Sequence, residues 1–324
     1  MDASKGGDPF TYLFPKDVRE LIGSPKNVDN LSLLIDKFAP FMEEDGTLKT
    51  SGTVLKRFFD DPPSLRGEAI AEYSRYLSEY LHMLNKKAKI VRVLRTKSRL
   101  IVGLGDESVY ETSIRLLRNY GMPYIPGSAL KGIARYRGIE AIAEANPGRD
   151  FYETVRLIDG ALKTGENLEN LSRELKPANV NGVQVSVETL VDLFGRTWDN
   201  GHEGCAVFFD AVVSPTAEPV EAPKVKERLI RELSSGRNFI SVFDFDIMNP
   251  HYGPYYQENK PPAEWYEPKP ITFLTVRKNV PFVFAVGTSK VCEEGAEVAW
   301  ELLRDALTRN GVGAKTALGY GRFG

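Results

Sequence analysis

The chain has 324 residues, with 42 Lys and Arg against 44 Asp and Glu and a formal net charge of -2, a length that allows two domains or one core elaborated by insertions. Hydrophobic residues make up 42% and charged residues 27%, which excludes a disordered chain and suits a globular one. Two cysteines, Cys205 and Cys292, exclude a disulfide framework or a four-cysteine zinc site, and the dispersed His82, His202 and His251 exclude a His-x-x-x-His zinc helix.

The opening MDASKGGDPF lacks the basic-then-apolar pattern of a signal peptide, and no run approaches the ~18 apolar residues of a membrane span. The expectation is a cytoplasmic protein with no membrane contact. Residues 1–85 read as a mostly helical N-terminal region. Within it, Leu65, Ala69, Ile70, Tyr73, Tyr76, Leu77, Tyr80, Leu81 and Leu84 recur at helical spacing behind Pro62-Pro63, predicting a packing helix over 64–84 with His82 half-buried on its surface.

Charge is unevenly placed. Between Lys86 and Arg137 twelve Lys and Arg (Lys86, Lys87, Lys89, Arg92, Arg95, Lys97, Arg99, Arg115, Arg118, Lys131, Arg135, Arg137) meet only Asp106, Glu107 and Glu111, a local sum of +9. One strongly basic segment in a balanced chain is a footprint a polyanion can use, although a solvated surface also carries such charge. In the same stretch 90–94 and 99–102 are β-prone, and Gly103-Leu104-Gly105-Asp106 forms a loop. Ser128 then reads as the N-cap of a helix with Leu130, Ile133 and Ala134 on its apolar stripe, extending towards Ala143 before Asn146-Pro147-Gly148.

Residues 149–204 read as an insertion holding one or two helices (151–162 and 188–194). The run 204–213 is nearly all apolar, as a strand buried on both faces is, with Cys205 a small core residue. A second insertion spans about 214–270; it takes in the proline-rich 215–223 and an aromatic loop, 249–270, bearing Tyr252, Tyr255, Tyr256, Trp265 and Tyr266, suited to packing or to stacking on a ligand. Towards the end, 271–277 and 281–286 predict a hairpin, and 294–308 an amphipathic helix closed by Asn310-Gly311. Hairpin, helix and a last strand over 314–323 match the latter part of a βαββαβ unit. The fold expected is therefore α+β with a ferredoxin-like core over 86–324.

Two glycine-rich corners invite an anion. Gly311-Val312-Gly313-Ala314-Lys315-Thr316 is not a nucleotide P-loop, because Ala314 stands before the lysine and Gly319 and Gly321 follow where a helix is required. Its glycines with Lys315 and Arg322, and the helix start at Ser128 with Lys131 one turn in, suit a chain of phosphates read by backbone and shape: single-stranded RNA.

These residues resemble the RAMP proteins of CRISPR systems. YIPGSALKGIAR (Tyr124–Arg135) is similar to their Pro-Gly-Ser-x-x-Lys-Gly helix start, and GVGAKTALGYGRF (Gly311–Phe323) to their C-terminal glycine-rich loop, with Ala314 where many relatives carry another glycine. RLIVGLGDESVYETS (Arg99–Ser113), LFG (Leu193–Gly195), VFFDAVV (Val207–Val213) and DIMNPHYGPYY (Asp246–Tyr256) extend the likeness over about 90–324. The resemblance implies an RNA-recognition-motif-like core and a non-catalytic subunit of a type III-B effector complex. Such a subunit binds guide RNA towards its 3′ end, helps position target RNA, and packs against other RAMP subunits, with no cofactor or metal. Family positions for guide contact fall on Gly103, Gly105, Ser128, Lys131, Arg135, Gly313, Lys315, Gly319, Gly321 and Arg322.

The alternative is a RAMP endoribonuclease acting on guide or target RNA. Its acid/base group would be His202 or His251, neither with an evident partner in sequence, or a carboxylate among Asp106, Asp244 and Asp246, of which the last two share one strand face.

Overall fold

The computed structural model describes residues 9–24, 28–59, 67–199, 201–214, 242–250, 260–261, 265, 268–289 and 295–324. The expectations on Pro62-Pro63, the 215–223 loop, His251, Tyr252, Tyr255, Tyr256, Tyr266 and Cys292 lie outside these residues.

Through residue 87 the order is β1 (Thr11–Tyr12), α1 (Lys16–Ile22), α2 (Leu31–Lys37), β2 (Pro40–Glu44), β3 (Thr47–Lys49), α3 (Gly52–Phe58) and α4 (Gly67–Lys87). Then come β4 (Ile90–Arg95), β5 (Leu116–Leu117), β6 (Met122–Ile125), α5 (Gly127–Glu144), α6 (Phe151–Thr164), α7 (Leu168–Glu174), β7 (Ala178–Val180), β8 (Val183–Val185) and α8 (Val187–Phe194). The remainder is β9 (Gly195–Arg196), β10 (His202–Glu203), β11 (Ala206–Phe208), β12 (Ala211–Val213), β13 (Phe243–Met248), β14 (Ile271–Val276), β15 (Pro281–Thr288), α9 (Gly295–Arg309) and a 3-10 turn at Thr316–Leu318. Several helix starts follow from local chemistry: the side chains of Asn30, Ser51, Asp150 and Ser186 accept from the amides of Leu33, Val54, Glu153 and Thr189.

The chain divides into two compact units, one of Met1–Tyr73, Gly103–Pro123 and Asn238–Arg277, the other of Ser74–Val102, Tyr124–Arg237 and Lys278–Gly324. In the first, β1, β2 and β3 form an antiparallel sheet, and β13 pairs with β14 along six residues, Phe243↔Val276 to Met248↔Ile271. Helix α3 lies against β14. A Cβ on Gly52 would run into the Thr272 carbonyl, so only glycine allows that approach, and Thr53 and Thr272 share a hydroxyl contact of 3.1 Å.

That pairing corrects the expected hairpin between 271–277 and 281–286. Ile271–Val276 belongs with β13, whereas Pro281–Thr288 pairs with β4, β11 and β12 in the other unit. The connection that looked like a turn is a crossing between units: Arg277 N–H still donates to Val242 O, and Asn279, at φ 66°, already donates to Thr96 O. Two apolar strands four residues apart carry no signal that distinguishes a shared sheet from two different ones.

The second unit holds an antiparallel sheet in the order β4, β15, β11 with β12, then β6. β15 is its spine, with Phe282, Val283, Phe284, Ala285 and Val286 all 0–1% exposed. Helices α5 and α9 pack on each other and on this sheet, and Phe323 sets its ring edge-on to Phe282 and Phe284. Each fully buried side chain of this kind contributes roughly 1.5–3 kcal/mol. The fold is α+β, with the helix-backed antiparallel sheet of a ferredoxin-like core.

Three local expectations are refined. The apolar run 204–213 is broken: Phe208 pairs with Val286 and Val212 with Val283, so the three residues 209–211 on one strand face only Phe284 and Ala285 on the other. This is a β-bulge, and it turns Asp210 outward. Second, 99–102 is buried at Leu100, Ile101 and Val102 but forms no named strand; its carbonyls instead accept from the C-terminal segment, Gly321 N–H to Arg99 O and Ala314 N–H to Ile101 O, both 2.8 Å. Third, 149–204 carries three helices and two short hairpins, the extra helix α7 being only seven residues long and starting from Asn167 in the left-handed region without a side-chain cap. Cys205 is 5% exposed and disulfide-bonded.

Arg137 is a buried charge of this unit, 3% exposed, and its guanidinium reaches Asp305 at 2.6 Å and Glu144 at 2.8 Å. Burial alone would lower its pKa; the hydrogen bonds to Glu144 and Asp305 outweigh that and raise it. It ties α5 to α9.

Candidate nucleic-acid interface

The start of α5 is built differently from its sequence signal. The N-cap is Pro126, which offers no side-chain bond, and Ser128 is an exposed residue inside the first turn. The cap comes from the bulge: Gly127 N–H donates to Asp210 Oδ1 at 2.7 Å. Gly127 is required because a Cβ would run into the Phe208 carbonyl. Lys131 is partly exposed one turn later, while Arg135 is bound to Asp159 of α6 at 2.7 Å.

The C-terminal corner is equally specific. Gly313 and Gly321 have φ of 91° and 72°, and a Cβ on either would enter the carbonyl oxygen of Ile101 or of Val312. Those glycines let one stretch of this chain cross another. Gly319, at φ 88°, has open space around its Cα. Lys315 stands at φ 59° ahead of the 3-10 turn, and Arg322 donates to Thr308 O at 3.2 Å and to Arg309 O, closing the C-terminus of α9. Pairing of Arg95 with Gly324 and of Lys97 N–H with Arg322 O fastens this corner beyond the end of β4.

Register shows that the two corners do not adjoin. The C-terminal corner lies at the end where Thr96 meets Val280, and Ser128 lies at the end where Phe208 meets Val286. Six residues of β15 separate those levels, about 20 Å at ~3.3 Å per residue, and the corners also sit towards opposite edges of the sheet. One nucleotide repeat, with six backbone bonds, cannot span that distance, so the corners do not hold consecutive phosphodiesters.

In the first unit, Gly103 has φ 79° and faces the Asp106 carboxylate, which Arg115 holds at 2.6 Å; Gly105 has nothing near a built Cβ. Asp244 and Asp246 accept from the neighbouring amides of Phe245 and Ile247 at 2.9 Å each. His202 is exposed on β10. Among the described residues no group of three His, Cys, Asp or Glu comes together as a metal site, and no helix is long and apolar enough to cross a membrane.

Of the twelve basic residues between 86 and 137, Arg115, Arg135 and Arg137 are ion-paired. Lys86, Lys87 and Lys89 are exposed and were not singled out as contacts from sequence. A signal was present: the residues three and four before Lys86 and Lys87 are His82, Met83 and Leu84, so neither lysine has an acid at the helical spacing that would pair it.

Comparison with known proteins agrees with the sequence resemblance. The RAMP superfamily model matches residues 93–324. The chain is 44% identical over 269 residues to the CRISPR system Cmr subunit Cmr6 of Pyrococcus furiosus, covering 78% of this chain and 72% of the relative. Among solved structures, the crystal structure of Cmr6 from Pyrococcus furiosus has 42% identity, covers 72% of this chain and 96% of its own, and has a TM-score of 0.44. A chain of the type III-B Cmr-beta complex bound to cognate target RNA has 22% identity, coverage of 80% and 65%, and a TM-score of 0.45. With both TM-scores below 0.5, the assignment rests on sequence: the chain belongs to the RAMP superfamily.

Proposed function

We propose that the chain is a non-catalytic RNA-binding subunit of a type III-B CRISPR effector complex in the cytoplasm. It binds guide RNA towards its 3′ end and helps position target RNA beside other RAMP subunits. The observation that carries this reading is the 44% identity to a Cmr subunit over most of both chains. The basic segment supports it, because Lys131 and the lysines of 86–89 meet no acid among the described residues. In this reading residues 86–324 form the RAMP core with insertions at about 149–204 and 214–270, and 1–85 an N-terminal addition.

A subunit without a cleavage role also accords with the carboxylates: Asp106 is held by Arg115, and Asp244 and Asp246 by backbone amides. Of the proposed contacts, Ser128 is exposed, Lys131 and Lys315 are half-buried, and Gly105 and Gly319 have open space at a built Cβ; Arg135 and Arg322 act on the fold, and Gly103, Gly313 and Gly321 shape its loops.

The test is guide-RNA binding by the Lys131→Glu, Lys315→Glu double variant across a salt series. Two lost phosphate contacts lower the slope of log affinity against log salt by about 1.4 for a single strand. Wild-type affinity and slope in the variant would sink this assignment of contacts; failure of the wild-type chain to bind guide RNA, alone and in its complex, would sink the function.

A further inference from the structure

The sheet of the second unit carries a second basic feature at the same end as Ser128. Lys89 N–H donates to Val286 O at 2.9 Å, Phe208 pairs with Val286, and Gly127 packs on the Phe208 carbonyl. Lys89, Val286, Phe208 and Gly127 therefore form one line across this end of the sheet. Lys87 is anchored there too, since its carbonyl lies 2.8 Å from a Cβ built on Gly287. Two strand spacings of ~4.8 Å take β4 to β11, with Gly127 one contact further, so the backbone of Lys89 lies about 15 Å from that of Gly127. This is much closer than the C-terminal corner lies to Ser128.

The chemistry along this line is one-sided. Lys86, Lys87 and Lys89 are exposed, Lys131 is partly so, and none has an acid within ion-pair distance among the described residues. Asp210, an acid on this rim, is bonded to the Gly127 amide. Between the two lysine groups lie Val207, 42% exposed, and the part-exposed Phe209, whose ring edge lies 3.2 Å from a Cβ built on Gly287. Point charges flanking a small apolar strip suit a flexible phosphodiester with its bases turned inward.

We propose that this end of the sheet is a single-stranded RNA track, with Lys86, Lys87 and Lys89 on the phosphates at one side, Lys131 and the Ser128 amide at the other, and a base over Val207 and Phe209. The proposal rests on the RNA-binding reading above and adds to it the residues that pair with Ser128 and Lys131 in place of the C-terminal corner.

The experiment measures binding of fluorescein-labelled single-stranded guide RNA to the full chain and its complex, across salt, for Lys86→Glu/Lys87→Glu/Lys89→Glu and for the milder triple Gln variant. A control carries Lys16→Glu, Lys37→Glu and Lys49→Glu, lysines of the other unit. The expected result is an affinity loss of tenfold or more and a slope smaller by about 2 in the Glu variant, a smaller loss in the Gln variant at wild-type melting temperature, and little change in the control. Wild-type binding by both triples overturns the track and leaves the RNA-binding reading standing. An equal loss in the control also overturns it, by reducing the effect to net charge. Lost association with other RAMP subunits at unchanged RNA affinity overturns it in favour of a protein-docking face. A wild-type chain that binds no RNA removes both readings.

Discussion

The amide of Gly127 donates to the carboxylate of Asp210 across 2.7 Å, joining the first turn of α5 to a bulge 83 residues away in sequence. Asp210 supplies the cap that Pro126 cannot, and its charge lies at the positive end of the helix dipole. Asp210→Ala leaves that amide without its acceptor and is expected to cost about 0.5–2 kcal/mol in urea denaturation, with Asp210→Asn losing less. If the rim binds RNA, both variants bind it more tightly at low salt, because an acid has gone from beside Lys131. An Ala variant as stable as wild type removes the capping role.

The C-terminal glycines are expected to rank by what surrounds them. Gly321→Ala meets both a positive φ and the Val312 carbonyl, whereas Gly319→Ala meets the positive φ alone in open space. The left-handed conformation costs about 1–2 kcal/mol for a residue with Cβ; the collision adds to that only at Gly321. Denaturation midpoints should therefore fall further for Gly321→Ala, and Gly319→Asn should be nearly neutral because asparagine tolerates this region. Equal losses at the two positions would mean that the crossing of Val312 and Gly321 relaxes freely.

Arg322 is expected to act as a helix cap. Its guanidinium donates to the last carbonyls of α9, at Thr308 and Arg309. Arg322→Glu places a negative charge against those carbonyls and the negative end of the dipole, a loss on the order of 1 kcal/mol, while Arg322→Gln keeps a donor and loses less. Guide-RNA binding by Arg322→Gln, measured where the protein is fully folded, should stay near wild type. A tenfold loss there, without a stability change, would restore Arg322 as a phosphate contact.

Much of this was legible in the sequence where the signal is local. The helical spacing behind α4 and α9, the β-prone start of β4, and the paired glycine corners all depend on residues within a few positions of each other. What was not legible depends on partners far away. The Ser128 cap signal lost to Asp210, 82 positions on, because nothing within the run 204–213 shows that a bulge between Phe208 and Val212 brings its single acid to the start of α5. The hairpin signal at 271–286 lost to the distant strand Phe243–Met248, which pairs with β14 along its whole length. The glycines of 311–321 read in sequence as a seat for a chain of phosphates, whereas in the fold two of them, Gly313 and Gly321, let the chain cross itself. The approaching groups are the chain's own carbonyls, Ile101 at Gly313 and Val312 at Gly321, which no spacing rule could name.

The pair between Arg135 and Asp159 gives a prediction in pH. Burial pushes the Asp159 carboxyl up, but hydrogen bonds from Lys163 and Arg135 outweigh it and hold the pKa below its ordinary value. A carboxylate whose pKa is lower folded than unfolded adds stability that is present above the unfolded value, near 3.8, and is lost as pH falls through the folded one. The side chains are 26% and 32% exposed, so solvent screening limits the gain to about 0.2–1 kcal/mol. Asp159→Asn is therefore expected to be slightly less stable than wild type at pH 7, with the difference shrinking through pH 4 and vanishing below the folded pKa. Urea denaturation at a series of pH values reads this directly; a gap that stays constant down to pH 2 would show that packing of α6 on α5, rather than charge, is what the substitution removes.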